Sequence, residues 1–415
     1  MEEGLLREIS QRYLVPFFSG AELEGRSAAS SAREETVAFR DPVSIAFKVT
    51  RNDNYRLTLK RAQPFAQMDG TTVPEIAVVR AFIDVVAPMG EALESSLKDD
   101  LLLTFSRRVV AKAMSSAEER ESTLLSGIDQ LAQWSNRLYE GSAISAAIGF
   151  RHRPQAGRPT LGEISEHDFA AVISNGHDTL LEFDFSGRFI SHAALSADDK
   201  PAPYCPFRQA PIADWTAKDE ERRRVALCLN RGGEILVFRD RQLLFARRSG
   251  RWSFLTHEPI ITQMGTPHDM EIRRAVYETC LDASFARTGA CIGIVSSSHI
   301  AEWQNTVVNE DDHVQLGESV KARTIRQMIR AKKFQALDRR LRQELVAIDG
   351  ATVLSHEGTL LAVGAILRIP GGSTSGGRLA AAKRLSALGL GIKVSQDGGI
   401  TGFRPGRDEP AFQLM

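Results

Sequence analysis

Residues 1–142 show two kinds of hydrophobic spacing. Alternation of polar and apolar positions over residues 43–49 and 55–60 predicts two strands joined by a turn. Helical spacing follows over residues 78–96 and 99–114. A third helix is predicted from apolar residues that share one face, Leu124, Ile128, Leu131 and Leu138. We interpret residues 1–142 as an N-terminal α+β region.

Residues 143–215 change to short segments that are typical of strands. Asn175-Gly176 marks a tight turn among them, and the region ends in a proline-rich linker. After the linker, three apolar segments separated by turns predict a β-meander over residues 235–254. We interpret residues 143–215 as a small β-rich region, and residues 225–405 as a separate domain that begins with the meander.

The rest of that domain alternates between helical spacing and buried strands. A helix is predicted over residues 270–286, where a glycine cap ends it, and a buried strand follows over residues 290–295. Further strands are predicted over residues 347–354 and 360–369, and further helices over residues 319–331, 335–345 and 379–388. The expected fold class is α/β and α+β multidomain. Its C-terminal part is a mixed β-sheet flanked by helices, preceded by the β-meander and the N-terminal α+β region.

Composition narrows the functional classes. The 415 residues include 52 basic and 52 acidic side chains, so no overall field attracts nucleic acid or an anionic membrane. The four cysteines lie far apart and lack metal-ligand spacing, which favours reduced, packed thiols. No signal segment is visible at the N-terminus, and the apolar run 360–367 is too short for a bilayer span. We expect a cytoplasmic protein that binds neither nucleic acid nor membrane.

Three segments near the C-terminus carry candidate chemistry. Asp349-Gly350-Ala351 places a carboxylate beside a glycine, and residues 371–378 form a glycine-rich loop ending in Arg378. Such a loop opens a helix, where free backbone N–H groups and an arginine bind phosphate. Ser395-Gln396 closes the series. Taken singly, the loop is a flexible connector and Asp349 a turn-capping residue; together they favour a nucleotide pocket.

These segments, in this order, resemble the diadenylate cyclase domain. Its Thr-Gly-Ala strand start, Asp-Gly-Ala motif, apolar strand and closing serine motif correspond to residues 288–290, 349–351, 363–367 and 395–400. The resemblance covers residues 271–403. It implies cyclic di-AMP synthesis from two ATP molecules with Mg²⁺ or Mn²⁺, between domains that meet face to face in a homodimer or higher oligomer. It also implies a set of nucleotide-binding residues, with Asp349 also the candidate metal ligand and catalytic residue: Asp349, Gly350, Ala351, Leu367, Gly376, Gly377, Arg378, Ser395 and Gln396.

The chain departs from the family's pattern where catalysis needs charge. The family's Gly-Thr-Arg-His-Arg corresponds to residues 376–380, in which Leu379 and Ala380 replace the histidine and the second arginine. Gln396 replaces a glutamate. We therefore expect a sensor of a nucleotide or cyclic dinucleotide that has lost catalysis. The alternatives are a divergent diadenylate cyclase and a domain that supplies only a dimer interface.

A second basic motif lies outside this domain. Arg151-His152-Arg153 could approach the pocket from another domain or a neighbouring subunit and restore the missing groups. Basic tripeptides are common in arginine-rich chains, so we favour a solvated basic turn.

Overall fold

The computed structural model describes residues 3–28, 36–49, 55–65, 74–89, 98–115, 118–196, 198, 200–217, 224–265, 267, 269–369 and 376–415. The chain divides into two compact units, Met1–Thr256 (unit 1) and His257–Met415 (unit 2). The described residues form eleven α-helices and four sheets, two of which mix parallel and antiparallel pairs. The expected α/β and α+β multidomain class is confirmed.

Unit 1 begins with a four-stranded antiparallel sheet in the order β1-β4-β3-β2. Its strands are β1 (Ala21–Ala28), β2 (Val37–Asp41), β3 (Ser44–Phe47) and β4 (Tyr55–Arg61). The helices are α1 (Glu3–Ile9), α2 (Pro74–Val86), α3 (Lys98–Met114) and α4 (Glu118–Trp134). The prediction that Leu138 belongs to the third helix is wrong: α4 ends at Trp134, and Leu138 is 70% exposed. The turn expected between β3 and β4 falls largely outside the described residues.

A seven-stranded sheet completes unit 1, in the order β13-β12-β11-β10-β7-β8-β9. It includes β7 (Ala146–Arg151), β8 (Thr179–Asp184), β9 (Phe189–Ala194), β10 (Val225–Leu229), β11 (Ile235–Arg239), β12 (Gln242–Arg248) and β13 (Arg251–Phe254). Minor elements are the hairpin β5 (Leu138–Tyr139) and β6 (Ser142–Ala143), with the helices α5 (Leu161–Ser165) and α6 (Ala210–Trp215). The predicted meander is β11 to β13. It shares this sheet with strands from residues 143–215, so the sheet crosses the boundary expected between residues 215 and 225.

Unit 2 is built on a six-stranded mixed sheet in the order β16-β15-β14-β17-β18-β19. The strands are β14 (Ala290–Val295), β15 (Ala351–Ser355), β16 (Leu360–Ala365), β17 (Gly389–Val394), β18 (Ile400–Phe403) and β19 (Phe412–Leu414). The helices are α7 (Glu258–Gln263), α8 (Met270–Phe285), α9 (Val320–Ile329), α10 (Arg339–Ala347) and α11 (Gly377–Ser386). The parallel pair is β14 with β15, and the other neighbours are antiparallel.

Helix α11 covers one face of this sheet. Its Ala382 and Leu385 lie in an apolar cluster with Cys291 of β14 and with Ala351 and Val353 of β15. Arg378 in its first turn lies against Gly289, and Leu385 in its last turn lies against Gly293, so the helix begins over the end of the sheet where β14 starts. None of the described helices combines the length and the apolar character that crossing a bilayer requires.

Candidate functional site

Strand register brings the predicted motifs of unit 2 to one end of the six-stranded sheet. Strand β14 runs parallel to β15, with Ile292 opposite Thr352, so Gly289 before β14 and Asp349 before β15 lie at the same end of the sheet. It runs antiparallel to β17, with Ala290 opposite Val394, so the next position places Gly289 beside Ser395. Segments far apart in sequence therefore become neighbours at this end of the sheet.

Arg378 lies at the same end. A Cβ atom built on Gly289 would be 2.9 Å from Nη1 and 3.0 Å from Cζ of Arg378, so the guanidinium rests against the backbone of Gly289. Burial raises the pKa of the Cys291 thiol to about 12, although the nearby positive charge of Arg378 lowers it. Both observations place the half-buried Arg378 side chain over the beginning of β14.

Asp349 and Gly350 precede β15 and do not lie inside a strand. The prediction of a strand over residues 347–354 is wrong at its start, because α10 runs to Ala347 and β15 begins at Ala351. Gly350 has φ +105°, which extended L-residues do not adopt. A Cβ on it would be 2.5 Å from the carbonyl carbon of Gly364. The glycine thus permits a close backbone contact and leaves the Asp349 side chain exposed.

Leu367 follows the strand that pairs with β15. Ala365 of β16 lies opposite Ala351, and Leu367 comes two residues later. Its side chain is 8% exposed and lies in an apolar cluster with Trp303 and Val307. It therefore presents only a small surface to a ligand.

Ser395 and Gln396 form the turn between β17 and β18. The Ser395 N–H donates to the Gly399 carbonyl at 2.8 Å, and Gln396 is exposed. Two residues at the end of α8 hold this turn: the Ser284 hydroxyl donates to the Gly398 carbonyl at 2.6 Å, and Arg287 Nη1 donates to the Asp397 carbonyl at 3.1 Å.

Sequence reasoning did not assign a role in the site to Ser284 or Arg287. The helix predicted over residues 270–286 is confirmed as α8, whose last residue is Phe285. The predicted glycine cap is wrong, because the left-handed residue that follows the helix is Arg287, with φ +59°. The available signal was an arginine just after the helix, two residues before Gly289.

Two ion pairs connect α8 and α10, the helices that lead into the site. Arg339 of α10 donates to both carboxylate oxygens of Asp282 of α8, at 2.7 and 3.0 Å, and both side chains are buried. Arg342 donates to Glu278 at 2.9 Å one turn along. Because α8 leads to Gly289 and α10 leads to Asp349, these pairs hold the two strand entries relative to each other.

The structure describes only part of the predicted glycine-rich loop. Residues 371–375 of the glycine-rich loop lie outside the described residues, whereas Gly376 is the N-cap of α11, and Gly377 and Arg378 form its first turn. Within the described part of the chain, no group of three His, Cys, Asp or Glu side chains could hold a metal ion. A divalent cation beside Asp349 would therefore depend on oxygen atoms of a bound ligand.

The Arg151-His152-Arg153 motif belongs to unit 1. Its first residue ends β7 and lies 3.4 Å from the Glu182 carboxylate, which also accepts from Trp215 Nε1 at 3.0 Å. His152 and Arg153 are exposed, as a solvated turn requires. That interpretation is wrong for Arg151, which the buried Glu182 holds within unit 1.

Comparison with known proteins adds a weak structural neighbour. No protein-family profile and no curated protein matches the chain. Fourteen chains of solved structures match, among them a double-mutant form of DacA from Staphylococcus aureus. It is 18% identical, and the match covers 34% of this chain and 86% of that chain with a TM-score of 0.22. At this TM-score and identity the match establishes no function for the chain.

Proposed function

We propose that unit 2 is a sensor that binds a nucleotide or a cyclic dinucleotide and does not catalyse its formation. The observation that carries this proposal is the position of the Arg378 guanidinium against Gly289. Asp349 and the Ser395 turn lie at the ends of β15 and β17, the two strands that pair with β14. This arrangement, together with the sequence resemblance to the diadenylate cyclase domain, supports a phosphate-bearing ligand at this end of the sheet.

The proposed phosphate contacts come from the first turn of α11. The N–H groups of a first helical turn have no partner within the helix, and the helix dipole favours an anion there. Among the described residues, no heavy atom lies within 4 Å of a Cβ atom built on Gly376 or Gly377. Arg378 adds a charge-assisted donor. The exposed Asp349 carboxylate is a hydrogen-bond acceptor for a sugar or base.

The same helix supports the loss of catalysis. Leu379 packs against the apolar cluster of α11 and the sheet, and Ala380 is buried. Neither side chain can neutralise a triphosphate, and phosphoryl transfer depends on positioned charge. Removing one such donor costs about 3 kcal/mol, or two decades in rate. We assign no catalytic step to a Mg²⁺ or Mn²⁺ ion beside Asp349.

The experiment measures binding and turnover in the same samples. Thermal shifts are recorded for the full chain with ATP, cyclic di-AMP and other nucleotides, and the samples with ATP and Mg²⁺ or Mn²⁺ are searched for cyclic di-AMP by mass spectrometry. A ligand at a hundredfold excess over its Kd adds about 2.7 kcal/mol of stability. We expect a shift with at least one nucleotide and no product.

Substitutions in one helix provide the control. Arg378→Gln removes the guanidinium beside Gly289 and should reduce the shift. Lys383→Gln removes an exposed cation from the last turn of the same helix and should leave the shift unchanged. Turnover to cyclic di-AMP contradicts the sensor. The absence of a shift with any ligand, or an equal reduction in both variants, contradicts the proposed site.

A further inference from the structure

Unit 1 contains a cavity whose lining includes none of the predicted motifs. Its volume is about 580 Å³, within the range of small-molecule sites. Residues from the N-terminal segment, α3, α4 and the β12–β13 hairpin line it. Its charged and aromatic lining residues are Arg12, Tyr13, Arg107, Arg247, Arg251 and Trp252.

The lining is strongly basic. Four arginines line the cavity, and none of the described residues that line it is acidic. Asp129 of α4 pairs with Arg107 at 2.6 Å. Burial lowers the pKa of Arg247, and repulsion from Arg107 lowers it further. Arg107 and Arg247 are half-buried, whereas Arg12 and Arg251 are exposed. The cavity therefore holds two partly desolvated positive charges close together, an arrangement that a bound anion stabilises.

Aromatic side chains lie beside these charges. Trp252 of β13 is directly opposite Arg247 of β12 in the strand register, and both line the cavity. Elsewhere in the lining, the Arg12 guanidinium lies 5.4 Å from the centre of the Tyr13 ring. A ligand that fills this space meets guanidinium groups and flat apolar rings together.

We propose that this cavity is a second ligand site, which takes a small molecule with several phosphate charges and a planar ring, as a nucleoside polyphosphate has. Guanidinium groups bind phosphate oxygens through paired hydrogen bonds. The half-buried Tyr13 ring provides surface for a base, whereas Trp252 is 4% exposed and contributes only a small part of its ring. The site belongs to unit 1 and does not depend on the function proposed for unit 2.

The test uses the full chain with Arg378→Gln, so that binding at the sheet end of unit 2 is weakened. Isothermal titration calorimetry with ATP, inorganic tripolyphosphate and adenosine separates the contributions of charge and ring. We expect ATP to bind more tightly than tripolyphosphate, and adenosine to show no binding. Adding Arg247→Gln should weaken ATP binding at least about tenfold, because a charge-assisted hydrogen bond is lost.

Two further variants keep this test independent of folding. Arg231→Gln removes an exposed arginine from the β10–β11 turn and should leave ATP affinity unchanged. Asp129→Asn should tighten binding several-fold, because the carboxylate no longer competes for Arg107; misfolding cannot produce a gain. Absence of ATP binding, unchanged affinity in Arg247→Gln, or equal loss in Arg231→Gln would overturn the proposal. If adenosine binds as tightly as ATP, the role of charge is overturned. If tripolyphosphate binds as tightly as ATP, the role of the rings is overturned.

Discussion

The two candidate sites differ in the chemical groups that would bind an anion. At the sheet end of unit 2, one guanidinium lies against a backbone shaped by glycines and a helix N-terminus. In the cavity of unit 1, four guanidinium side chains and two aromatic rings form the lining. An anion can thus be bound mainly by backbone dipoles, which depend on precise chain conformation, or mainly by side-chain charge, which depends on where several elements meet.

This difference predicts different sensitivities. A site made from backbone should fail when a helix shifts or a glycine gains a side chain. A site made from side chains should tolerate such changes and respond to the loss of charge, to salt and to pH.

The largest effect is expected from Asp282→Ala. It leaves Arg339 buried without its carboxylate partner, and breaking a buried pair in this way costs about 3–5 kcal/mol. Because the pair ties α8 to α10, the strand entries at Gly289 and Asp349 should also move and nucleotide binding should fall. Urea unfolding of the full chain, with thermal shifts for the ligand, measures both.

An exposed ion pair of the same unit is the control for Asp282. Glu357 lies 3.7 Å from Lys333, and both side chains are more than half exposed. Glu357→Ala should change stability by less than about 1 kcal/mol. Equal losses in the two variants would show that the buried pair does not anchor the site.

A smaller effect is expected from Gly350→Ala. The methyl group would collide with the Gly364 carbonyl, and the left-handed φ adds strain, so unfolding should become easier by about 1–3 kcal/mol. The matched variant Gly377→Ala has none of the described heavy atoms within 4 Å of its Cβ and lies in the first turn of a helix, where alanine is favoured. It should keep or raise stability while reducing nucleotide affinity. Denaturant unfolding and thermal shifts separate the two effects. If the Gly350→Ala chain is as stable as the unmodified chain, the turn at Asp349 does not require a glycine.

The smallest effect concerns the cavity and pH. Burial raises the pKa of Asp129 above 3.8, although Arg107 and Arg108 oppose the shift. A raised carboxyl pKa contributes stability at low pH that is lost as pH rises through that pKa. As pH falls towards it, Asp129 takes up a proton and Arg107 becomes available to an anion. In the Arg378→Gln chain, sulfate affinity should rise about twofold to threefold as the pH is lowered from neutral into the range where Asp129 takes up its proton, measured by calorimetry.

The same titration in Asp129→Asn tests the cause. Sulfate stays fully ionised over this range, so a pH dependence must come from the protein. The dependence should disappear in Asp129→Asn. If it persists unchanged, another group controls the charge of the cavity.

Much of the fold of unit 2 could be predicted because its signals are local. The end of α8, the buried strand β14 and the start of β16 each depend on neighbouring residues, and the structure has all three. The strand expected over residues 347–354 begins later because Gly350 must approach Gly364 across the sheet, and the spacing of apolar residues does not contain that contact. Leu138 was misassigned because an apolar residue at helical spacing can equally follow a helix end.

The sequence by itself determined which segments of unit 2 carry the groups of the candidate site. Their glycines, carboxylate and arginine stand in short motifs, because unusual backbone conformations require particular residues at fixed positions. Only the tertiary structure decided that these motifs share one end of a sheet. It alone decided that Arg12, Arg107, Arg247 and Arg251 surround one cavity. The physical reason is that charge acts through space, so guanidinium groups from distant segments can form a site without any spacing along the chain to reveal it.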